Sequence, residues 1–255
     1  MLKTYDIAPD VFAFSTTRHG GVSKGNYGEF NINTYCGDNP ADIAANRKIL
    51  EKQLGISDDR LIMPHQIHLT HNRLVDDFML SLSAVSRSPL LEGFDSLTTN
   101  IKDVCIGVST ADCIPVLLYD PKHHASAAVH AGWRGTVKRI VTVTLRSMEK
   151  EYGTDAKDIL AVIGPGISLK NFEVGDEVYD AFAKEGFDMS LIAQRFEKWH
   201  INLPLCNQLQ LEKLGVPRDN IHQSGICTYD DVDDYFSARR LGIKSGRIFT
   251  GIILK

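Results

Sequence analysis

Residues 110–135 read TADCIPVLLYDPKHHASAAVHAGWRG, two apolar runs separated by a polar turn. Apolar runs of this length between turn residues predict two neighbouring β-strands. Cys113 stands at the start of the first run, and His130 stands near the end of the second, before Ala-Gly-Trp-Arg-Gly. A soft nucleophile or metal ligand and a base at adjacent strand ends predict a reactive site.

The rest of the chain alternates strand and helix patterns without the regular order of a doubly wound fold. We therefore predict an α+β fold with mixed β-sheets and helices outside them, formed by residues 1–255 as a single domain. Residues 60–76 are predicted as a strand pair or one long strand. On such a strand Gln66 and His68 would share one face, and His65 and His71 the other. Further strands are predicted at 11–17, 103–110, 158–168, 221–229 and 245–255, and helices at 39–55, 136–152, 174–186 and 203–215.

Composition excludes several classes of protein. The formal net charge of −4 gives no strong attraction to nucleic acid. The chain has no run of eighteen apolar residues, so no membrane span is predicted. The N-terminal residues lack the apolar region of a signal peptide, so we expect a cytoplasmic protein. The five cysteines are odd in number and contain no Cys-x-x-Cys pair, which argues against a disulfide framework and a zinc ribbon.

Familiar catalytic motifs are absent or out of context. GVSKG at 21–25 matches the Gly-x-Ser-x-Gly pattern of serine hydrolases, but it lies in a glycine-rich loop rather than between a strand and a helix. The chain has no phosphate-binding Gly-x4-Gly-Lys loop and no His-Glu-x-x-His. It also lacks the signature of zinc nucleobase deaminases.

Two chemistries fit the remaining candidates. His68, Cys113 and His130 make a three-ligand zinc set with a fourth position for water or substrate. Alternatively, Cys113 is a nucleophile and His130 its base, without a metal. The turn after His130 leads into a predicted helix start, where free backbone N–H groups bind anions, and Arg134 adds a guanidinium fork. Spacing alone does not separate the two chemistries.

Eight segments in order resemble the multicopper polyphenol oxidase family, also called the laccase-domain or purine nucleoside phosphorylase family. The most specific segment is TADC…HAGWRG. The others include STTRHGGVS at 15–23, HQIH at 65–68, FDSLTT at 94–99, GPGISLKNFEVG at 164–175 and YFSARR at 235–240.

The resemblance implies a single laccase domain with a four-layer α/β/β/α arrangement related to cysteine hydrolase-like folds. It makes His68, Cys113 and His130 the metal-binding and catalytic set, with zinc as the metal and copper as the alternative. Arg47 and Arg134 are the implied anion contacts. Gln66 and Asp112 complete the predicted substrate site.

The implied activity is zinc-dependent phosphorolysis of adenosine, inosine and methylthioadenosine, with adenosine deamination at the same site. Nucleoside and phosphate are then the partners of a monomer that binds neither nucleic acid nor membrane. The alternatives are a copper polyphenol oxidase, a metal-free Cys-His hydrolase or amidase that edits peptidoglycan precursors, and a zinc-binding interaction module. The sequence departs from the family pattern at Leu69, Phe172 and Asn202, where glycine, tyrosine and aspartate are usual.

Overall fold

The hairpin predicted for residues 110–135 lies at the centre of a six-stranded sheet in the computed structural model, which describes all residues 1–255. Fourteen strands are formed: β1 Leu2–Tyr5, β2 Val11–Thr16, β3 Leu61–Ile62, β4 Asn72–Leu74, β5 Ser96–Thr99, β6 Cys105–Thr110, β7 Ile114–Asp120, β8 Ala125–Ala131, β9 Leu160–Ile163, β10 Glu173–Val174, β11 Ala193–Arg195, β12 Trp199–Ile201, β13 Ile221–Gln223 and β14 Ile248–Leu254.

Nine α-helices connect or cover these strands. They are α1 Pro40–Leu54, α2 Asp77–Ser81, α3 Ala84–Arg87, α4 Trp133–Val137, α5 Ile140–Tyr152, α6 Asp176–Lys184, α7 Met189–Ile192, α8 Leu203–Leu214 and α9 Ala238–Leu241. None of them is long and apolar enough to cross a lipid bilayer.

Both large sheets mix parallel and antiparallel pairs. The strand order is β13-β9-β7-β8-β5-β4 in the six-stranded sheet and β1-β2-β14-β6-β3 in the five-stranded sheet. The β13–β9, β4–β5 and β3–β6 pairs are parallel, and the other pairs of the two sheets are antiparallel. The predicted mixed-sheet α+β fold is therefore confirmed.

Alternation along the central strands divides the hydrophobic core. On β7, Leu117 and Tyr119 join a cluster with Ile106 and Ile252 of the other sheet. The alternate residues of β7, such as Leu118, point instead into a cluster with residues of α5 and α8. The outer face of the five-stranded sheet packs on α1 through Phe249 and Leu50 (a third cluster). This follows from the two-residue period of strand side chains.

Helix α1 shows the predicted end signals. The Asn39 side chain accepts a hydrogen bond from the N–H of Ala41 at 2.9 Å, and Pro40 occupies the first turn. Gly55 ends the helix with φ +68°, a left-handed conformation that glycine adopts without steric cost. These local interactions fix the boundaries of the helix independently of tertiary packing.

Two predicted elements are present only in part. Residues 63–71 form an irregular loop between the short strands β3 and β4, so Gln66 and His68 do not share a strand face. The helix predicted for 136–152 is divided into α4 and α5 by Arg139, which has φ +62°. Side-chain hydrogen bonds fix the 63–71 loop, and periodicity does not reveal such bonds.

Candidate functional site

Strand register brings Cys113 and His130 together. In the antiparallel β7–β8 pair, Ile114 lies opposite Ala131 and Pro115 opposite His130. Cys113 immediately precedes this register, so its side chain reaches the end of β8. The fold brings Cys113 and His130 together at adjacent strand ends, as the sequence predicts.

Asp95 extends the same edge of the sheet. It precedes β5, and its backbone carbonyl accepts a hydrogen bond from the N–H of His130 at 2.7 Å. Its fully buried carboxylate also contacts Nδ1 of His130 at 2.7 Å. A carboxylate on Nδ1 fixes the ring orientation and leaves Nε2 for a proton or a metal.

The same carboxylate positions His68. Asp95 accepts backbone hydrogen bonds from His68 at 2.9 Å and from Leu69 at 2.7 Å. His68 itself has φ +63°, an uncommon conformation for a residue with a side chain. One buried acid therefore holds both a strand histidine and a strained loop histidine, and the ring centroids of His68 and His130 lie 4.7 Å apart.

The charges at this site favour a thiolate. Burial raises the pKa of Cys113, but the neighbouring His130 and His68 outweigh that effect and lower it. Burial acts in the opposite sense on His130, whose pKa is nevertheless raised by Cys113 and Asp95. A thiolate facing an imidazolium is the expected state of the metal-free pair.

The donor set fits a metal ion. His68, Cys113 and His130 each offer one ligand atom, and these atoms all lie within 4.8 Å of one another. Two nitrogens and one thiolate suit zinc and also copper. A Cβ added at Gly132 would lie 3.0 Å from Sγ of Cys113 and 3.1 Å from Cδ2 of His68. The glycine thus leaves the three side chains room to converge.

These three residues form part of the wall of a cavity of about 340 Å³, within the roughly 300–1,000 Å³ typical of ligand pockets. The lining includes the Tyr35 ring, which stacks on His65 with centroids 3.9 Å apart. It also includes Ile243, which is 80% exposed. Arg247 is the only lysine or arginine on the wall. The cavity therefore combines apolar surfaces, a set of three potential metal ligands and one arginine.

Gln66 and Asp112 mainly hold the site in place. The Gln66 amide donates to the Ser109 carbonyl at 2.9 Å and accepts from the Ser109 N–H at 2.8 Å, which ties the His68 loop to β6. Asp112 accepts from the Thr228 hydroxyl at 2.8 Å and from the Arg239 N–H at 2.6 Å. Gln66 lines the cavity, whereas Asp112 does not.

The two arginines predicted as anion contacts lie outside the cavity wall. Arg47 donates to Asp58 from Nε at 2.8 Å and lines a neighbouring cavity of about 250 Å³. Arg134 is exposed, and its guanidinium lies 4.3 Å from the centroid of the Trp133 ring. Their role in anion binding stays a prediction, and the structure does not bring them together with the metal-binding set.

The residues that sequence reasoning missed are Asp95, Gly132 and Arg247. Asp95 stands in FDSLTT, which carried the family resemblance but no assigned role. Gly132 and Arg247 stand in HAGWRG and SGR, where nothing in a single sequence separates a site residue from a turn residue. Strand register and loop contacts supply that distinction.

The departures from the family pattern are accommodated locally. Leu69 still donates its N–H to Asp95. Phe172 is buried, and the Arg239 guanidinium lies 5.6 Å from its ring centroid. Asn202 caps α8 by accepting from the Leu205 N–H at 3.1 Å.

The chain matches known proteins over nearly its whole length. Residues 12–255 match the family model described as multi-copper polyphenol oxidoreductase laccase. A purine nucleoside phosphorylase of Bacteroides thetaiotaomicron is 50% identical over 96% of this chain and 92% of its own length. Adenosine deaminase RL5, from an unknown prokaryotic organism, is 41% identical over 96% of this chain and 94% of its own.

Solved structures show the same fold. The hypothetical protein YfiH of Bacillus licheniformis is 28% identical and superposes with a TM-score of 0.91, covering 99% of both chains. YlmD of Geobacillus stearothermophilus, also 28% identical, gives 0.90 over 97% of this chain and 94% of its own. With a family model that spans nearly its whole length, the chain belongs to the multi-copper polyphenol oxidoreductase laccase family, whose relatives include purine nucleoside phosphorylases and an adenosine deaminase.

Proposed function

We propose that this protein is a zinc-dependent purine nucleoside phosphorylase that also deaminates adenosine at the same site. The observation that carries the proposal is the convergence of His68, Cys113 and His130 on one cavity wall, with Asp95 behind them. The 50% identical phosphorylase and the 41% identical deaminase support both activities. Adenosine, inosine and methylthioadenosine are the proposed substrates.

His68, Cys113 and His130 would hold the zinc, which when bound supplies an acidified water and a Lewis acid. Asp95 keeps the proton on Nδ1 of His130 and so presents Nε2 to the metal. Tyr35 and Ile243 offer apolar surface to the purine base. Gln66 and Asp112 keep the His68 loop and the Cys113 turn in register.

In phosphorolysis, one bond to the anomeric carbon replaces another. An oxygen of inorganic phosphate forms a bond to the anomeric carbon as the N-glycosidic bond breaks. The electron pair leaves with the purine, which takes up one proton, giving ribose 1-phosphate and free base. The transition state has oxocarbenium character, as in glycoside hydrolysis. In deamination, water replaces the C6 amine, which leaves as ammonia.

A metal-free hydrolase is the second candidate. Cys113 lies beside His130, and His130 contacts Asp95 through Nδ1. This is the arrangement of a thiolate nucleophile, its base and an orienting acid. A covalent acyl adduct on Cys113 with a peptide or amide substrate would favour it. Zinc bound at one per chain and loss of Cys113 alkylation in its presence would favour the phosphorylase.

A multinuclear copper oxidase fits less well. The described residues contain one group of three potential metal ligands, and it includes two of the nine histidines. A laccase-type copper cluster requires several such groups. We therefore prefer a single-ion zinc site to a multinuclear copper cluster.

The family resemblance extends these proposals to architecture and setting. We propose that residues 1–255 form one laccase domain, and that the order helix, sheet, sheet, helix makes a four-layer α/β/β/α stack related to cysteine hydrolase-like folds. Five free cysteines suit a reducing compartment, so we propose that the protein is cytoplasmic. That it is a monomer stays a prediction.

The test combines metal analysis with product analysis. Purified protein should contain one zinc per chain, release adenine from adenosine only with phosphate, and form inosine without it. Cys113→Ala and His68→Ala should lose zinc and both activities. Retention of either activity in a zinc-free variant would contradict the proposal.

A further inference from the structure

We infer that Arg247 and Thr110 form the binding site for inorganic phosphate in this cavity, in place of Arg47 and Arg134. The inference rests on the proposed function, because phosphate is the co-substrate of phosphorolysis. The phosphate, a tetrahedral oxyanion, would lie in the corner of the cavity formed by Arg247 and Thr110.

Strand register places this corner beside the metal-binding set. In the β6–β14 pair, Ile248 lies opposite Thr110, so Arg247 stands just before β14 where β6 ends. Cys113 follows Thr110 by three residues. Thr110, Cys113 and Arg247 all line the same cavity.

The Arg247 guanidinium is held in place by its own loop. One terminal nitrogen donates to the carbonyls of Ser245 at 2.6 Å and Gly246 at 2.9 Å, and the other donates to that of Ile243 at 3.0 Å. Its Nε–H has no protein acceptor, and no carboxylate lies within 4.0 Å of the group. The free edge of a fixed guanidinium is the group that binds phosphate in two-pronged fashion.

Thr110 supplies an independent observation. Its side-chain hydroxyl is buried and has no hydrogen-bond partner within the protein, although the residue lines the cavity. A buried hydroxyl without a partner costs free energy, so such groups mark the positions of ligands or water. A phosphate oxygen on the Arg247 fork would satisfy it.

Charge distribution favours this assignment over the predicted arginines. Arg47 is paired with Asp58, and Arg134 lies on the surface against Trp133. Arg247 alone presents an unpaired positive charge to the cavity.

The experiment measures the KM for inorganic phosphate during inosine phosphorolysis by zinc-loaded enzyme. Arg247→Gln removes a charged donor worth a factor of roughly 10 to 100, so the phosphate KM should rise by that factor. Thr110→Val removes a hydroxyl that no protein group uses, and should raise the phosphate KM with an unchanged melting temperature. Arg146→Gln, on the exposed face of α5, is the matched control.

Two further arms make the result decisive. Unchanged phosphate KM in both variants, or a rise with Arg47→Gln or Arg134→Gln instead, would overturn the inference. If the variants weaken inhibition by inosine monophosphate but leave the phosphate KM unchanged, the site binds a nucleotide phosphate and the free-anion assignment is wrong. Wild-type enzyme without phosphate-dependent purine release would instead refute the proposed function, and calorimetry with inorganic phosphate would still test Arg247.

Discussion

Replacement of Asp95 by Asn tests whether one buried acid organises the proposed metal ligands His68, Cys113 and His130. One carboxylate oxygen accepts from the N–H of His68 and from Nδ1 of His130, and the other accepts from the N–H of Leu69 at 2.7 Å. An amide keeps one acceptor and turns an N–H donor toward the other partner. One buried N–H left unpaired costs about 1–3 kcal/mol.

That cost lowers the melting temperature by about 2–12 °C, at roughly 2–4 °C per kcal/mol for a chain of this size. Loss of a carboxylate behind a metal-binding histidine weakens metal affinity by about 10- to 100-fold. Differential scanning calorimetry and zinc competition with a chromophoric chelator measure the two effects separately.

The chain offers a matched control in Asp120, which is also fully buried. It accepts from the N–H groups of Lys122 at 2.9 Å and His123 at 3.2 Å, and contacts Nδ1 of His123 at 2.8 Å. Asp120→Asn should lower stability without changing zinc affinity. If Asp95→Asn binds zinc as tightly as the wild type, or if both variants weaken zinc binding equally, the reasoning is refuted.

Three further predictions concern Gly132, Cys113 and the Asn39 cap of α1. Gly132→Ala should weaken zinc binding at least about tenfold, since its Cβ would press on Cys113 and His68 and misplace the ligands, and unchanged affinity would contradict this. In zinc-free protein, Cys113 should react with iodoacetamide about tenfold faster at pH 7 than at pH 5, because its pKa is lowered to about 6 and the thiolate fraction rises through that range. A rate that rises with a midpoint near pH 8.5 would contradict this. Asn39→Ala should cost about 0.5–2 kcal/mol in urea unfolding through the lost helix cap, with no change in zinc affinity.

Features encoded by local periodicity were predictable from the sequence. The apolar runs around Cys113 and His130 gave the hairpin and the meeting of the two residues, and Asn39 and Gly55 gave the bounds of α1. These depend on neighbours in the chain, which a single sequence contains.

Features produced by long-range hydrogen bonds were not predictable. The pattern of 60–76 predicts strand structure at His68, but the conformation of this loop depends on Asp95 and on Gln66 binding Ser109, residues distant in the chain. For the same reason the sequence offers no signal for Arg247, which strand register alone brings to the cavity wall. Anion binding by Arg47 and Arg134 stays a prediction.

The most direct test of the proposed activity is the product balance of zinc-loaded protein incubated with inosine, with and without inorganic phosphate. We expect hypoxanthine and ribose 1-phosphate in equal amounts, only when phosphate is present, and neither product from Cys113→Ala. Inosine left intact in the presence of zinc and phosphate would contradict it.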